Sequence, residues 1–483
     1  YNEFKKELLR DQEQGKILVL ITISERDGAH IENISITGNE KTQEHVVRRE
    51  LPFVVGDVFN RTAVIRGLQN IYNLQFFSEV EPDTPPGSAP GLIDVNIAVE
   101  ETKTADIGFG ATFSGGDFPL SGFVRWSERN FRGLGQTVGV DLFASQLRQS
   151  VSLSFREPWL LGFPWSAGVT LGGEHSVVLR VPQDVLHPVF TDEEFDYAVP
   201  DPFISDDEYS PGDLVPEQYT MKYDTFALSA GVSSGFRFDT FYGWINVHGG
   251  FNSTLEFLRY DPEVNRPFDK AIRDQFQRWS IINSLSASLA WDRRDFFLNP
   301  TEGTLLSQDV TFTGGFLSGD RHYVRLNSRA QAFTTLLDVP VSDGFDLRLI
   351  LAGHSGFSLI LPQLRQCSVL EESGGLCWDQ VTSSEDLLVI DGSSVGRGWE
   401  RVADGQALWD SKIELRAPLD PQLVWGVAFL DASLLWTDRA MISSTALDDV
   451  YLSAGFGLRF AIPQLPLRFY LAKPFRFEDG KIV

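Results

Sequence analysis

The stretch YLSAGFGLRFAI, Tyr451 to Ile462, decides the fold. Leu452, Ala454, Phe456, Leu458, Phe460 and Ile462 share one parity, and Ser453, Gly455, Gly457 and Arg459 share the other. Successive side chains of a strand point to opposite faces, so this segment reads as a strand with an apolar and a polar face. The pattern recurs outward from it. Ser150 to Arg156 sets Val151, Leu153 and Phe155 against Ser152, Ser154 and Arg156. In Trp409 to Arg416 the polar face carries Asp410, Lys412, Glu414 and Arg416. A soluble antiparallel sandwich also alternates. Here, however, the alternation begins at Thr104 and runs to Val483 with no helical periodicity, and small and charged residues keep to one face. That is the pattern of a barrel with lipid outside and a wet lumen inside. Lipid offers no partner to backbone N–H and C=O groups, so such a sheet must close. About fifteen strands are predicted, centred near residues 109, 124, 140, 154, 170, 229, 247, 287, 310, 329, 350, 411, 430, 456 and 470. Long connections fall near 179–219, 259–278 and 361–403, and short ones at Asp239-Thr240 and Pro463 to Pro466. Bacterial barrels have even strand numbers as a rule. The fold class is therefore mainly β, a sixteen-strand antiparallel transmembrane barrel with fifteen strands present. The barrel is assigned to 103–483, without its last strand.

Composition bounds the partners. The chain of 483 residues carries a formal net charge of −25, which argues against nucleic acid, a partner that wants a basic face. Between Val181 and Glu217 stand eleven Asp or Glu and no Lys or Arg. This reads as a solvated loop; a surface cation site is the alternative, but no ligand spacing supports it. No run reaches the length of a membrane helix, and the longest apolar run, Ile17 to Ile23, is strand-sized. The chain opens at Tyr1 without a signal peptide and reads as a trimmed or processed piece. The two cysteines, Cys367 and Cys377, have no second Cys or His pair nearby and are not a zinc site. An oxidising compartment would join them as a disulfide; two unrelated thiols are the alternative. The seven histidines are scattered, and no catalytic constellation, metal site or cofactor site is found. Gly108 and Gly110 resemble the start of a nucleotide fingerprint, but no βα turn follows, so they read as glycines that weaken a strand.

Residues before Thr104 read differently. Residues 1–10 are expected to be a helix remnant, and Lys16 to Ser24 a strand. Ile31 to Thr37 alternates as a strand and Gly38-Asn39 makes a turn. Thr42 is expected to cap a helix reaching about Leu51, with Val46 and Val47 inward. Arg61 to Asn73 is a second helix, with Val64, Ile65, Leu68, Ile71 and Tyr72 on one side. Two strands follow, Phe77 to Glu81 and Leu92 to Val99, around the Pro85-Pro86-Gly87 loop.

This strand–helix–helix–strand–strand order resembles a polypeptide-transport-associated (POTRA) domain. Gly38-Asn39, and Gly67 to Tyr72 followed by Phe76-Phe77, are its typical marks. The boundaries assigned are 1–25 for the remnant of a preceding POTRA domain and 26–102 for the POTRA domain itself. The remainder resembles the barrel of the BamA-like family, outer-membrane barrel assembly proteins. The resemblance rests on four segments in order. Asn130-Phe131-Arg132-Gly133-Leu134-Gly135 is similar to an early turn. Asp292, Arg294, Asp295, Pro300 and Gly303 fit a mid-barrel pattern. Gly396-Arg397-Gly398-Trp399 resembles the family's Val-Arg-Gly-Phe loop motif, with Gly and Trp as departures at its ends. Glu414 and Asp431 match its lumen carboxylates. The family's last strand, with its terminal aromatic, is not found.

Parity sends Glu414 inward and puts Asp431 opposite the outward Leu430 and Leu434. A guanidinium at Arg397 folded into the lumen could pair with Asp431 or Glu414 in two-pronged fashion. The resemblance implies a non-enzymatic insertase without cofactors in the outer membrane of a diderm bacterium, with its POTRA domain in the periplasm. Implied partners are unfolded outer-membrane proteins, periplasmic chaperones, lipoprotein subunits and outer-membrane lipid. A lateral gate is expected between first and last strands, with Thr104 to Phe113, weakened by Gly108 and Gly110, as the gate strand. The alternatives are a polypeptide-translocating pore and a passive porin.

Overall fold

The computed structural model describes residues 3–11, 16–24, 28–113, 120–180, 189–192, 197–198, 221–240, 243–262, 264–265, 267–295, 299–342, 345–366, 376–383, 386–399, 402–420, 424–460, 468–478 and 481–482. The chain divides into two compact units. One comprises Tyr1–Ile107 with Trp126–Val138, the other Gly108–Arg125 with Gly139–Val483.

In the first unit, β1 (Glu3–Asp11) and β2 (Lys16–Ser24) pair as an antiparallel hairpin. The helix expected over residues 1–10 is thus a strand. A helix that short is marginal by itself, and the β-branched run of Ile17, Val19, Ile21, Thr22 and Ile23 supplies a strand partner instead. The α/β module follows as β3 (His30–Thr37), α1 (Glu44–Arg48), α2 (Arg61–Asn73), β4 (Phe77–Asp83) and β5 (Leu92–Glu101). Its sheet order is β3-β5-β4, with β3 parallel and β4 antiparallel to β5. Alternation on β5 buries Ile93, Val95, Ile97 and Val99, and the last three pack in one core with Val46, Val47, Val64 and Ile71. Asn60 caps α2 by accepting from the backbone N–H of Thr62 (2.9 Å) and Ala63 (3.3 Å). Ile65 and Tyr72, expected inward, are 45% and 60% exposed. The buried stripe runs through Val64, Leu68 and Ile71, and these two lie just past its edge.

Thr42 does not cap α1. Gln43 holds that position with no side-chain cap bond. The backbone N–H of Thr42 instead donates to Glu101 Oε1 (2.6 Å), and that of Lys41 to Oε2 (3.0 Å). Burial pushes the Glu101 carboxyl up, but these bonds from Thr42 and Lys41 outweigh it and hold the group below its ordinary value.

The large sheet contains fifteen antiparallel strands. They are β6 (Ala105–Phe113), β7 (Leu120–Phe131), β8 (Gln136–Ser145), β9 (Arg148–Glu157), β10 (Trp165–Arg180), β11 (Met221–Thr240), β12 (Gly243–Arg259), β13 (Trp279–Asp292), β14 (Gly303–Thr313), β15 (Tyr323–Ser342), β16 (Phe345–Leu361), β17 (Ala407–Asp420), β18 (Val424–Trp436), β19 (Tyr451–Phe460) and β20 (Arg468–Phe475). Each pairs with its sequence neighbours, so the sheet is a continuous meander with β6 and β20 as its edges. Among the described residues no ladder joins these two edges. The apolar parity is exposed, as lipid-facing side chains are: Phe456 is 64%, Leu471 68% and Phe109 77% accessible. The long connections all lie at one end of the strands, and the turns at the other end, where β6 begins, are short. Cys367 and most of the acidic segment 181–217 lie outside the described residues; Cys377 sits on a short strand, Leu376–Asp379, opposite Arg365.

The two glycines of β6 differ from each other. Gly108 has open space where a Cβ would sit, whereas at Gly110 a Cβ would stand 2.5 Å from the Phe123 ring. Gly110 is therefore a notch that the ring fills, not simply a weak point.

Candidate functional site: a loop locked in the barrel lumen

The polar parity of β17, β18, β19 and β20 meets at one place. Register puts Glu414 opposite Phe429 and Lys412 opposite Asp431. Phe429 and Asp431 in turn face Gly455 and Ser453, and Gly457 faces Tyr470. Because antiparallel partners share a face, these side chains all line the lumen.

Into this wall comes the connection from β16 to β17. Asp391 shapes its tip, accepting from the backbone N–H of Ser393 (2.8 Å), Ser394 (2.6 Å) and Val395 (2.9 Å). The N–H of Gly398 closes the turn on the carbonyl of Gly392 (2.9 Å). Gly396 and Gly398 have φ of +65° and +88°, a region costly for residues with a Cβ. A Cβ on Gly398 would also press on Ala472.

This turn aims Arg397 inward. The guanidinium is 5% exposed as a residue and donates through Nε to Asp431 Oδ2 and through Nη2 to Oδ1, both at 2.6 Å. Its Nη1 stands 2.9 Å from Glu414 Oε1. Its Cζ lies 3.6 Å from the centroid of Phe429 and 4.6 Å from that of Tyr470. Two-pronged pairing and aromatic contact together suit arginine and no other cation. Trp399 donates from Nε1 to the Leu452 carbonyl (2.9 Å) and packs edge-on to Tyr451. Arg476 lies over both rings, at 5.0 and 4.8 Å.

Glu414 serves two further guanidinia. Arg459 Nη2 donates to Oε1 (2.9 Å) and Oε2 (2.8 Å), and Arg416 Nε donates to Oε2 (2.9 Å). Parity alone had placed both arginines on the polar face without revealing that they share one carboxylate. A second buried cluster carried no sequence signal, because its members are far apart in the chain. Arg321 donates to Glu256 (2.7 Å) and to Asp386 (3.1 Å), and the Tyr323 hydroxyl donates to Asp386 (3.0 Å). Asp386 belongs to the same connection as Arg397, so that connection is held at two buried points.

The mid-barrel residues form the short turn between β13 and β14. Arg294 donates to Asp292 through Nε (2.9 Å) and Nη2 (2.8 Å). Asp295 accepts from the backbone N–H of Thr301 (2.9 Å), Pro300 is buried, and Gly303 opens β14.

The turn from Asn130 to Gly135 docks on the α/β module, within the first unit. Asn130 is 1% exposed; its Nδ2 donates to Thr42 Oγ1 (2.8 Å) and its Oδ1 accepts from the Gly135 N–H (2.8 Å). The Gln43 N–H donates to the Gly133 carbonyl (2.9 Å). Thr104, just before β6, donates to Glu128, and Asp106 pairs with Arg129 (2.9 Å). The roots of β6, β7 and β8 are thus built into the module's own unit. Asn130→Ala would remove a donor to the Thr42 hydroxyl, which keeps its bond to Glu101, and strand the buried Gly135 N–H, a penalty of about 1–3 kcal/mol. Amide hydrogen exchange over residues 41–49 and 130–136 is expected to speed up markedly in this variant. Unchanged protection would mean the latch does not hold the turn.

Comparison with known proteins agrees with this architecture. Residues 130–482 match the Omp85 superfamily domain, and residues 29–102 match POTRA, described as a surface antigen variable number repeat. A putative outer membrane protein assembly factor of Treponema pallidum (strain Nichols) is 33% identical over 99% of this chain; the chain spans 58% of that protein's length. The outer membrane protein assembly factor BamA of Nitratidesulfovibrio vulgaris is 28% identical over 33% of this chain and 20% of that protein. Among solved structures, BamA from Haemophilus ducreyi lacking POTRA domains 1–3 superposes with a TM-score of 0.64 at 17% identity, covering 100% of this chain and 88% of that one. CdiB from Escherichia coli gives 0.61 at 14% identity, covering 99% and 77%. The chain belongs to the Omp85 superfamily, as a BamA-like protein whose barrel lies in the outer membrane and whose POTRA module faces the periplasm.

Proposed function

We propose that the chain is the core of a machine that folds β-barrel proteins into the outer membrane. The observation that carries this reading is the pair of edges, β6 and β20, that no ladder joins among the described residues, on a sheet whose lumen is crossed by a locked loop. An unpaired edge presents N–H and C=O groups that template a client strand. A client entering there passes sideways into lipid, and its own burial in lipid supplies the driving force, so no enzyme chemistry or cofactor is called for. The first and last strands of the sheet, β6 and β20, would meet at this lateral gate. The POTRA module would receive unfolded clients from chaperones and dock lipoprotein subunits, with β3 and β4 as exposed edges for strand addition. Arg397 and its carboxylates would keep the loop, and with it β17 to β20, in one arrangement while the seam works.

The second reading is a polypeptide-translocating pore. It requires a route through the lumen, where the connection held at Arg397 and Asp386 stands. The test is reconstitution of the full protein in liposomes, followed by addition of a urea-denatured outer-membrane barrel. Protease-protected, heat-modifiable client is expected to form faster than in protein-free liposomes. Equal rates would overturn the insertase reading, and passage of an unfolded chain into the liposome interior would favour the pore.

A further inference from the structure

Beside the Arg397 lock the lumen encloses a cavity of about 790 Å³. Its wall carries six cationic side chains, Arg294, Arg329, Lys412, Arg416, Arg459 and Arg468, against three carboxylates. That surplus of positive charge sits in a chain whose formal net charge is −25. Arg294 is already paired with Asp292, outside this wall, but the three carboxylates do not neutralise the other five cations. Glu414 is shared among Arg397, Arg416 and Arg459, and Asp410 is taken up by Lys412 (3.3 Å) and His354 (2.8 Å). Asp309 is the third. Among the described residues, Arg329 and Arg468 have no hydrogen-bond or ion-pair partner.

The register adds an independent point. Arg459 and Arg468 stand directly opposite each other on β19 and β20. Like charges in directly opposed positions disfavour a ladder; Glu414 accepts from Arg459, which leaves the charge of Arg468 to be met from the cavity. Asn327, Ser328 and Gln331 add neutral hydrogen-bonding groups to the same wall. We propose that this cavity is an anion site for a phosphate group, either free phosphate or the headgroup of a phospholipid. A phosphate suits it better than a carboxylate does. A phosphate monoester, as in the headgroup of phosphatidic acid, carries about 1.5–2 negative charges at neutral pH and three strong acceptor oxygens, which matches several converging guanidinia.

The test uses the full protein in a non-ionic detergent at constant ionic strength. Three probes are titrated calorimetrically: inorganic phosphate, dihexanoyl phosphatidic acid, and a tripeptide with a free C-terminal carboxylate. Saturable binding of inorganic phosphate or of the short phosphatidic acid is expected, and which of them binds identifies the source. The variant R329Q/R468Q is expected to bind that probe at least about tenfold more weakly, one charge-assisted bond or more being lost. Its melting temperature without probe should be unchanged or higher, since a like-charge pair has been relieved. Binding of the tripeptide alone, binding of no probe, or undiminished binding by R329Q/R468Q would each overturn the proposal.

Discussion

Arg397→Ala is expected to destabilise the barrel by about 3–5 kcal/mol, the penalty typical of breaking one side of a buried ion pair. Asp431, whose side chain is wholly inaccessible, would be left buried and unpaired. Glu414 would keep Arg416 and Arg459, so the damage concentrates on Asp431. The rings of Phe429 and Tyr470 would lose the cation they hold between them. Insertion of client in liposomes is expected to slow about tenfold or more, which corresponds to at least about 1.4 kcal/mol. Arg397→Lys keeps the charge but loses the planar fork, so an intermediate effect is expected. The double variant R397A/D431N removes the orphaned charge with its partner. It should recover much of the melting temperature but not the insertion rate, because the loop remains unanchored. This split separates stability from positioning. A single Arg397→Ala variant that melts and inserts like the parent would sink the role assigned to the lock.

The features legible in the sequence are those with local signatures. Two-residue alternation located the fifteen strands, because every lipid-facing position must be apolar and every lumen position need not be. The same parity gave the inward face of Glu414 and Asp431 before any partner was visible. Thr42 was misread as a cap because a Thr before an apolar helix is a strong local signal; its actual partners, Asn130 and Glu101, lie 88 and 59 positions away. Gly110 looked like a weak point, since nothing in its neighbourhood announces that the Phe123 ring would cross it. The Arg321–Asp386–Glu256 cluster was invisible for the same reason, as its links span 65 positions and follow no period. Long-range polar contacts of this kind depend on register and loop path, which alternation alone does not fix.

The insertase reading stands or falls on the seam between β6 and β20. If client strands enter there, holding the two edges together should abolish activity while leaving the fold intact. A chain with Cys367 and Cys377 replaced by serine removes competing thiols. Into it, a cysteine at Gly108, where a side chain has open space, is combined with a second scanned from Phe469 to Ala472 on β20. Pairs that cross-link on oxidation are then compared oxidised and reduced in the liposome insertion assay. The account predicts that insertion falls to the protein-free background in the oxidised state and returns on reduction. Melting should be unchanged or raised by the staple. Full insertion by a completely cross-linked protein would contradict the account, because clients would then be entering the membrane without the seam.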